Sequence, residues 1–304
     1  MKELKEIIKK NNINDKLLIN FNKALKDPDF KSLIDTLGLS YEELSKYTSI
    51  LEESKCEWCN CKNCKSILEC KNKVEGYAYL PEVKNNSLQF IYKKCRYKRE
   101  IDEKNKYLEN VYTYDIPEDI RMADINDIFN DDDARINVIK YILKFISDYQ
   151  KDKHQKGLYL HGNFGCGKTY LVSAMLNELA KKNIKSTIIF WPEYLRMLKA
   201  SFNENDSFKI NFEKVKTTPI LLIDDIGAEN VTPWGRDEIL CSILQYRMEE
   251  HLPTFFTSNL TIEELERHLA SSKEGASDVK ARRIIERIKQ LTTDLEMISK
   301  NLRN

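Results

Sequence analysis

The second half of the chain alternates between two hydrophobic patterns. Short apolar runs of strand character occur at residues 157–161, 187–191, 219–225 and 253–259. The stretches between these runs carry apolar residues at intervals of three and four, which predicts amphipathic helices. A further helix is predicted at residues 134–149, ahead of the first run. Strands and helices that alternate in this way predict an α/β fold, a doubly wound parallel sheet with its ligand at the carboxyl ends of the strands.

The first half is organised differently. Residues 1–50 have apolar positions at helical spacing, and Ser40 with Glu43 has the spacing of a capping box. We interpret this part as a small helical bundle that has no chemistry of its own but can dock a partner. Residues 101–133 are charged and irregular, which predicts a linker. The expected division of the chain is a first domain at 1–100, a linker at 101–133 and a second domain at 134–304.

A phosphate-binding loop lies between the first predicted strand and the helix that follows it. Its sequence fits the pattern G-x-x-x-x-G-K-[ST] and consists of Gly162, Asn163, Phe164, Gly165, Cys166, Gly167, Lys168 and Thr169. Glycines let backbone N–H groups turn inward and bind phosphate oxygens at a helix N-terminus. The lysine would place a positive charge on the β- and γ-phosphates, and the threonine hydroxyl can coordinate Mg²⁺. Because the strand, loop and helix follow one another as the motif requires, we predict a nucleotide site here.

Two later strands end in polar residues. The run at 219–225 ends in Asp224 and Asp225, which is the Walker B arrangement. We expect Asp224 to hold Mg²⁺ and Asp225 to orient or deprotonate the attacking water. Asn259 follows the next strand and is expected to reach the γ-phosphate and the water, although an Asn after a strand is otherwise a common turn residue.

The cysteines predict a second site in the first half. Six of the eight in the chain are clustered there: Cys56, Cys59, Cys61, Cys64, Cys70 and Cys95. In a cytosolic chain such a cluster indicates metal binding rather than disulfides, with free thiols as the alternative. Overlapping C-x-x-C pairs and two later cysteines can form a tetrahedral thiolate site for a structural Zn²⁺. Six candidates for four positions leave the choice of ligands open.

Composition and charge restrict the functional class without deciding it. A chain of 304 residues is long enough for about two domains. No apolar run approaches the ~18 residues of a membrane span, and the N-terminal residues lack the apolar core of a signal peptide. We therefore expect a cytoplasmic protein that does not interact with membranes. The net charge of +1 is too small to indicate nucleic-acid binding by itself.

Several of these segments together resemble one family. They are the sequences at 216–229, 234–238, 252–259 and 279–288, and the cysteine cluster followed by Glu75-Gly76-Tyr77 and Tyr92-Lys93-Lys94-Cys95. This set is similar to the DnaI-type helicase loaders, a family of AAA+ ATPases, over most of the chain. The resemblance implies an ATP-dependent loader of the hexameric replicative DNA helicase that acts with other primosome proteins. It also implies that a zinc-bearing N-terminal domain binds the helicase, and that the AAA+ domain binds ATP, Mg²⁺ and single-stranded DNA. Self-association on the helicase is a further expectation.

Two other functions fit parts of the same pattern. A transposition helper ATPase of the IstB type shares much of the AAA+ motif set, but the cysteine-rich first domain disfavours it. A non-enzymatic adaptor would keep the zinc module and use ATP structurally. The retained Asp224, Asp225 and Asn259 disfavour that alternative.

The chain departs from the usual AAA+ pattern at one position and from the pattern of the loader family at another. AAA+ enzymes usually have Glu where Asp225 stands, although the loader family also has Asp there, and the shorter side chain predicts slow hydrolysis. The family can use a His as zinc ligand where Ala78 stands, so that cysteines must complete the shell. Spacing counted back from the fifth cysteine favours one ligand set, with Cys56 and Cys59 as the alternative first pair. The favoured set is Cys61, Cys64, Cys70 and Cys95.

The resemblance also points to charged residues outside the two motifs. Arg283 and Arg287 are four residues apart on a predicted helix and project from one face, where a solvated basic stripe is the ordinary interpretation. In AAA+ assemblies such a residue stabilises the transferred phosphoryl group. We expect Arg287 to act in trans as an arginine finger with Arg283 in support, or the reverse. Candidate contacts to single-stranded DNA are Tyr194, Arg196 and Lys199, for which a core residue and two solvated charges are the alternative.

Overall fold

The computed structural model describes residues 15–85, 87–128, 133–203, 205–272 and 275–302. The chain divides into two compact units, Met1–Lys106 and Tyr107–Asn304. Among the described residues, no helix combines the length and the apolar composition needed to span a bilayer.

The first unit consists of short helices and one β-hairpin. Its elements are helix α1 at residues 15–24, α2 (Pro28–Asp35), α3 (Tyr41–Leu44), α4 (Thr48–Asn63), strands β1 (Tyr77–Lys84) and β2 (Ser87–Lys94), and α5 (Arg96–Lys104). Five buried apolar side chains form its core: Phe21, Phe30, Ile34, Leu44 and Leu51. The prediction of short amphipathic helices is confirmed from residue 15 onward, while residues 1–14 lie outside the described part. As expected, the Ser40 hydroxyl caps α3 by accepting the backbone N–H of Glu43.

The second unit is built on a parallel sheet. Its six strands are β3 (Val111–Tyr114), β4 (Gly157–His161), β5 (Ser186–Phe190), β6 (Ile220–Asp224), β7 (Thr254–Ser258) and β10 (Thr292–Glu296). They are ordered β10-β4-β7-β6-β5-β3, and every neighbouring pair is parallel. A short antiparallel pair, β8 (Ser271–Ser272) with β9 (Gly275–Ala276), lies outside this sheet. The predicted α/β architecture is therefore confirmed.

Helices cover both faces of the sheet. They are α6 (Glu118–Arg121), α7 (Asp133–Asp148), α8 (Lys168–Lys181), α9 (Trp191–Ala200), α10 (Asn205–Thr217), a π-helix (Trp234–Leu240), α11 (Cys241–Glu249), α12 (Ile262–Ala270) and α13 (Asp278–Leu291). Successive strand residues belong to different apolar clusters, since Ile188 and Leu222 pack with α7 and α8 whereas Ile189 and Ile223 pack with α9 and α11 to α13. A strand that is covered on both faces needs apolar residues at every position. For this reason the strands appear in the sequence as continuous apolar runs.

Strand β3 differs from the sequence prediction. The sequence predicts a linker at residues 101–133, but Val111–Tyr114 pairs with β5 and forms one edge of the sheet. Helix α6 also lies within this segment. A four-residue edge strand is too short for its hydrophobic period to distinguish it from an irregular stretch.

A buried arginine fixes the amino ends of two central strands. Arg247 on α11 is fully buried. It donates from Nε to Oγ1 of Thr254 (2.8 Å), from Nη1 to the carbonyl of Thr218 (2.7 Å), and from Nη2 to the carbonyl of Pro253 (2.8 Å). Thr218 lies just before β6, Pro253 lies just before β7, and Thr254 begins β7. The guanidinium group therefore joins the amino ends of the two strands, at the edge of the sheet opposite the predicted site. A buried charge is tolerated there because its donors are paired.

Candidate functional site

The phosphate-binding loop connects β4 to α8 at the carboxyl edge of the sheet. Gly162 has a φ of 146° and Gly167 a φ of 90°, in the region that residues with a side chain rarely enter. At Gly162 a Cβ atom would lie 2.0 Å from the carbonyl oxygen of Met297, so only glycine allows the two backbones to approach. Lys168 begins α8, a helix of 14 residues. The loop therefore lies at a helix N-terminus, where a phosphate is stabilised.

The Lys168 side chain is buried beneath this loop. Its Nζ donates to the carbonyl oxygens of Gly162 (3.0 Å) and Asn163 (2.8 Å) and to Oδ1 of Asn259 (2.8 Å). Burial lowers the pKa of this ammonium group, and a nearby thiol and carboxylates oppose that shift. A phosphate at the loop would supply the negative charge that favours the protonated lysine.

Asp224 is a buried carboxylate held by two hydroxyl groups. Its Oδ1 accepts from Oγ1 of Thr169 (2.6 Å) and from Oγ1 of Thr257 (2.6 Å). Burial raises the pKa of Asp224, while the two hydroxyl donors lower it. The predicted Mg²⁺ ligands, the Thr169 hydroxyl and the Asp224 carboxylate, are thus in direct contact.

Asp225 and Asn259 form a second pair at the same edge. Nδ2 of Asn259 donates to Oδ1 of Asp225 at 3.0 Å, and the backbone N–H of Asp225 donates to Oγ1 of Thr257 at 3.0 Å. Asp225 has a φ of 55°, in the left-handed region. Aspartate is one of the few residues other than glycine that enter this region with little strain. Asn259 therefore links the loop lysine to the second Walker B acid.

These residues surround one cavity of about 830 Å³. The volume lies in the range of small-molecule and cofactor sites. Its lining includes Lys168, Asp224 and other polar residues described above, and also apolar residues from the segment between β3 and α7, namely Ile116, Ile120 and Ile128. The cavity therefore offers charged groups for phosphates and apolar side chains for a planar base.

Four cysteines of the first unit line a separate cavity of about 330 Å³. Cys61 and Cys64 lie at the C-terminal end of α4, Cys70 follows a short 3₁₀ turn, and Cys95 caps α5. Three of the sulfur atoms accept N–H groups: Cys61 Sγ from Nδ2 of Asn72 (3.3 Å), Cys70 Sγ from the Gly76 backbone (3.4 Å) and Cys95 Sγ from the Lys98 backbone (3.4 Å). Such donors favour the thiolate form, and at Cys61 they oppose the burial that raises the pKa of this thiol.

The other two clustered cysteines lie elsewhere. Cys56 is exposed and lines a groove with Asp27 and Phe30. Burial raises the pKa of Cys59, and Asp29 beside it adds to that shift. Within the described residues, no group of three or more His, Cys, Asp or Glu side chains is arranged closely enough to hold a metal ion. Cys61, Cys64, Cys70 and Cys95 nevertheless line the same cavity, whereas Cys56 lines a different one.

Comparisons with known proteins show the family. The model of the AFG1-like ATPases matches residues 91–291. The replicative helicase loader DnaI of Bacillus subtilis (strain 168) is 35% identical over 290 residues, which are 93% of this chain and 91% of the relative. This chain belongs to the AFG1-like ATPases and to the DnaI family.

Solved structures agree with the fold. A crystal structure of a DnaI protein superposes with a TM-score of 0.57 at 42% identity, and covers 65% of this chain and 100% of that one. The crystal structure of the DnaC helicase loader has a TM-score of 0.51 at 20% identity, and covers 60% of this chain and 99% of that one. The second unit of this DnaI-family chain thus has the AAA+ fold.

The two predicted arginines lie away from the nucleotide cavity of their own chain. Arg287 on α13 is half-buried against α11, where it donates to Oε1 of Gln245 (2.8 Å) and to Sγ of Cys241 (2.8 Å). Arg283, one turn earlier, is exposed and has no hydrogen bond or ion pair with any residue in the described part of the chain. The Arg283 side chain is therefore available to an external group, whereas the Arg287 side chain is engaged within the unit. The spacing of the two residues in the sequence does not reveal this difference.

Of the three candidate DNA contacts on α9, one lies in the core. Tyr194 is 1% exposed and donates to the backbone carbonyl of Asn211. The expectation that it contacts DNA is therefore wrong, because no surface of the ring is accessible to a base. Arg196 is exposed and forms an ion pair with Glu193, and Lys199 lies over the ring of Trp234 at 5.6 Å.

Sequence patterns missed several residues of the site. Thr257, inside β7, has no motif of its own, and only its position two residues before Asn259 connects it with the nucleotide. Arg135 is 2% exposed and donates from Nη2 to the carbonyl of Cys166 at 2.8 Å. It precedes the loop by about thirty residues, so no local pattern indicates that it touches the loop.

Proposed function

We propose that this chain is an ATP-dependent loader of the replicative DNA helicase that works in the cytoplasm during primosome assembly. The observation that carries the proposal is the extent of its likeness to a replicative helicase loader, 93% of this chain at 35% identity. The match therefore includes both compact units. This favours a loader over a transposition helper, for which only the AAA+ motif set is expected.

The nucleotide cavity supports ATP binding and hydrolysis. Mg²⁺, when bound with ATP, would neutralise charge on the β- and γ-phosphates. Thr169 and Asp224 are oxygen ligands of the kind that this ion prefers, and they would hold it. Lys168 would exchange its loop carbonyls for phosphate oxygens. Asp225, oriented by Asn259, would position the attacking water or accept its proton. The short side chain of Asp225 is expected to make hydrolysis slow.

The first prediction tests nucleotide binding and loading together. Lys168→Ala removes the buried charge that faces the phosphates, and we expect ATP affinity to fall by about 10- to 100-fold. Titration with a fluorescent ATP analogue measures this, and Lys182→Ala, an exposed lysine at the end of the same helix, is the control. In pull-downs with the cognate replicative helicase, capture should depend on ATP for the wild type and not for Lys168→Ala. If Lys168→Ala bound ATP as tightly as the wild type, the assignment of the nucleotide site would be contradicted.

We also propose that the first unit binds one structural Zn²⁺. A zinc ion would cross-link the end of α4, the 3₁₀ turn and the start of α5 through four sulfur atoms. The N–H donors at Cys61, Cys70 and Cys95 support this ligand set, as does the cavity that they share with Cys64. The exposed position of Cys56 disfavours the alternative first pair. A unit organised in this way is the proposed contact surface for the helicase.

The second prediction concerns this metal. Cys61→Ser and Cys70→Ser should lose the zinc that elemental analysis finds at one ion per wild-type chain, whereas Cys56→Ser should keep it. Metal binding and local folding are one equilibrium in such modules. Loss of the metal should therefore unfold residues near 61–95 and abolish capture of the helicase while ATP binding persists. A wild-type protein that contains no zinc would rule out the site.

Single-stranded DNA is the proposed second partner of the AAA+ unit. A row of aromatic rings runs from the turn after α9 along α10 and the π-helix, where Phe202 is exposed and the other three rings are partly buried. The ring centroid of Phe202 lies 5.1 Å from that of Trp234 and 5.4 Å from that of Phe208. The ring of Phe212 follows, 5.9 Å from that of Phe208. Lys199 borders it. Aromatic rings beside basic groups bind single strands by stacking and phosphate contacts. This surface replaces Tyr194 in the proposed interface.

The third prediction tests this surface. Phe202→Ala and Trp234→Ala should each weaken binding of an oligothymidine by about tenfold, since stacking contributes roughly 1–3 kcal/mol per base. Fluorescence anisotropy measures the affinity, which should also fall with added salt. Leu143→Ala on α7, an exposed apolar residue elsewhere in the unit, is the control. Unchanged binding by both aromatic variants would exclude this surface.

Arg283 is the better candidate for an arginine finger supplied to a neighbouring subunit. Because Arg287 is engaged with Gln245 and Cys241, it would hold α13 against α11. The exposed Arg283 would remain available to a second copy of the chain. Of the two role assignments that the sequence leaves open, we therefore propose the one in which Arg283 acts in trans.

The fourth prediction separates the two arginines. Arg283→Ala should bind ATP almost normally but hydrolyse it roughly 10³-fold more slowly, as expected for a missing finger. Arg282→Ala, an exposed neighbour on α13, should hydrolyse ATP at the wild-type rate. Mixing Arg283→Ala with Lys168→Ala should restore part of the activity, because a shared site needs one intact half from each protein. Normal hydrolysis by Arg283→Ala would show that the residue is not a finger.

A further inference from the structure

The last described residues of the chain lie across the phosphate-binding loop. Beyond β10, the Met297 backbone N–H donates to the carbonyl of His161 at 2.7 Å. Ser299 exchanges two hydrogen bonds with Asn163: its N–H donates to Oδ1 (3.1 Å), and Nδ2 of Asn163 donates to its carbonyl (2.6 Å). The Leu302 N–H donates to the carbonyl of Gly165 at 2.9 Å. We refer to residues 297–302 as the C-terminal strap.

The strap satisfies groups that a phosphate-binding loop would otherwise leave unpaired. Such a loop directs its N–H groups to the phosphates, so its carbonyl groups need other partners. The carbonyl of Gly165 is bonded by the strap itself. The carbonyl of Cys166 accepts from Arg135, whose Nε donates to Oγ of Ser299 at 3.0 Å. Arg135 and Ser299 are 2% and 6% exposed, so this connection between strap and loop is shielded from water.

The contacts also reach the cavity. Leu302 lines it, and its Cδ1 lies 3.6 Å from the position that a Cβ atom would take at Gly167. Asn163 stands at a variable position of the loop motif, where many residues are compatible with phosphate binding. Both polar atoms of the Asn163 side chain, Oδ1 and Nδ2, form hydrogen bonds with the backbone of Ser299 in the strap.

We propose that the C-terminal strap is a wall of the nucleotide site that positions the phosphate-binding loop, so that strap docking and nucleotide binding stabilise each other. The inference rests on the proposed nucleotide function. Asn163, Ser299 and Arg135 are positioning residues, because they act through the loop backbone. Coupling between two sites is reciprocal in binding free energy, so nucleotide must order the strap to the extent that the strap favours nucleotide.

The test uses the full chain, two variants and one control variant. A chain that ends at Ile298 keeps β10 and the buried Met297 but loses the bonds of Ser299 and Leu302. Asn163→Ala removes only the paired amide, and its exposed position makes it the deciding variant if the shortened chain does not fold. Glu296→Gln, exposed and just before the strap, is the control. Affinity for a fluorescent ATP analogue and hydrogen exchange of the strap, with and without MgADP, are measured for each.

Asn163→Ala should bind the ATP analogue about tenfold more weakly, as expected for the loss of two hydrogen bonds, while the control stays within about twofold. The shortened chain also loses the bond from Arg135 to Ser299 and the bond from Leu302 to Gly165, so its affinity should fall at least as far. MgADP should slow exchange of the Ser299 and Leu302 amides in the full chain, and the protection of Ser299 should be lost in Asn163→Ala. A merely structural strap would lower thermal stability with no change in nucleotide affinity and no protection by MgADP, which would overturn the inference. A full chain that binds no nucleotide would overturn the proposed function as well, so the two failures are distinguishable.

Discussion

The parallel register of β4, β6 and β7 is the constraint on which the nucleotide site depends. Because the three strands run in the same direction, the residues at their carboxyl ends meet at one edge of the sheet. The phosphate-binding loop, the pair Asp224 and Asp225, and Asn259 all follow from this. A slip of one residue would turn every side chain of a strand to the opposite face. Arg247 bonds both β6 and β7 at their amino ends and so helps to fix this register.

The polar network at this edge is stable because its members satisfy one another. A carboxylate as buried as that of Asp224 would be costly alone, and the hydroxyl groups of Thr169 and Thr257 reduce that cost. Asn259 joins the lysine of the loop to Asp225. The two acids, the two threonine hydroxyls and the Asn259 amide are therefore held in place by one another. Such preorganisation is the main contribution that a protein makes to phosphoryl transfer.

The first unit poses a different physical problem. In the described part of this unit, the core cluster contains five buried apolar side chains, and a domain of this size buries a smaller fraction of its surface than a large domain does. The four thiols at the end of α4, near the 3₁₀ turn and at the start of α5 would let a metal ion replace part of the missing core. The proposed zinc would thus stabilise the proposed surface for the helicase, while the AAA+ unit would hold the nucleotide. In the proposed loading reaction, the first unit would bind the helicase and the AAA+ unit would bind the nucleotide.

The sequence by itself determined the α/β class, the bounds of four of the six described strands of the parallel sheet (β4 to β7) to within one residue, and the family. Continuous apolar runs and a contiguous loop motif are local signals, so no tertiary information was needed. Tertiary structure alone decided which cysteines share a cavity, that Tyr194 is buried, that Arg287 is engaged and Arg283 exposed, and that β3 belongs to the sheet. It also brought Arg135 and Ser299, 164 residues apart, into contact beside the loop. These contacts join residues that are distant in the chain, and the pattern of neighbouring residues carries no record of which distant side chains will meet.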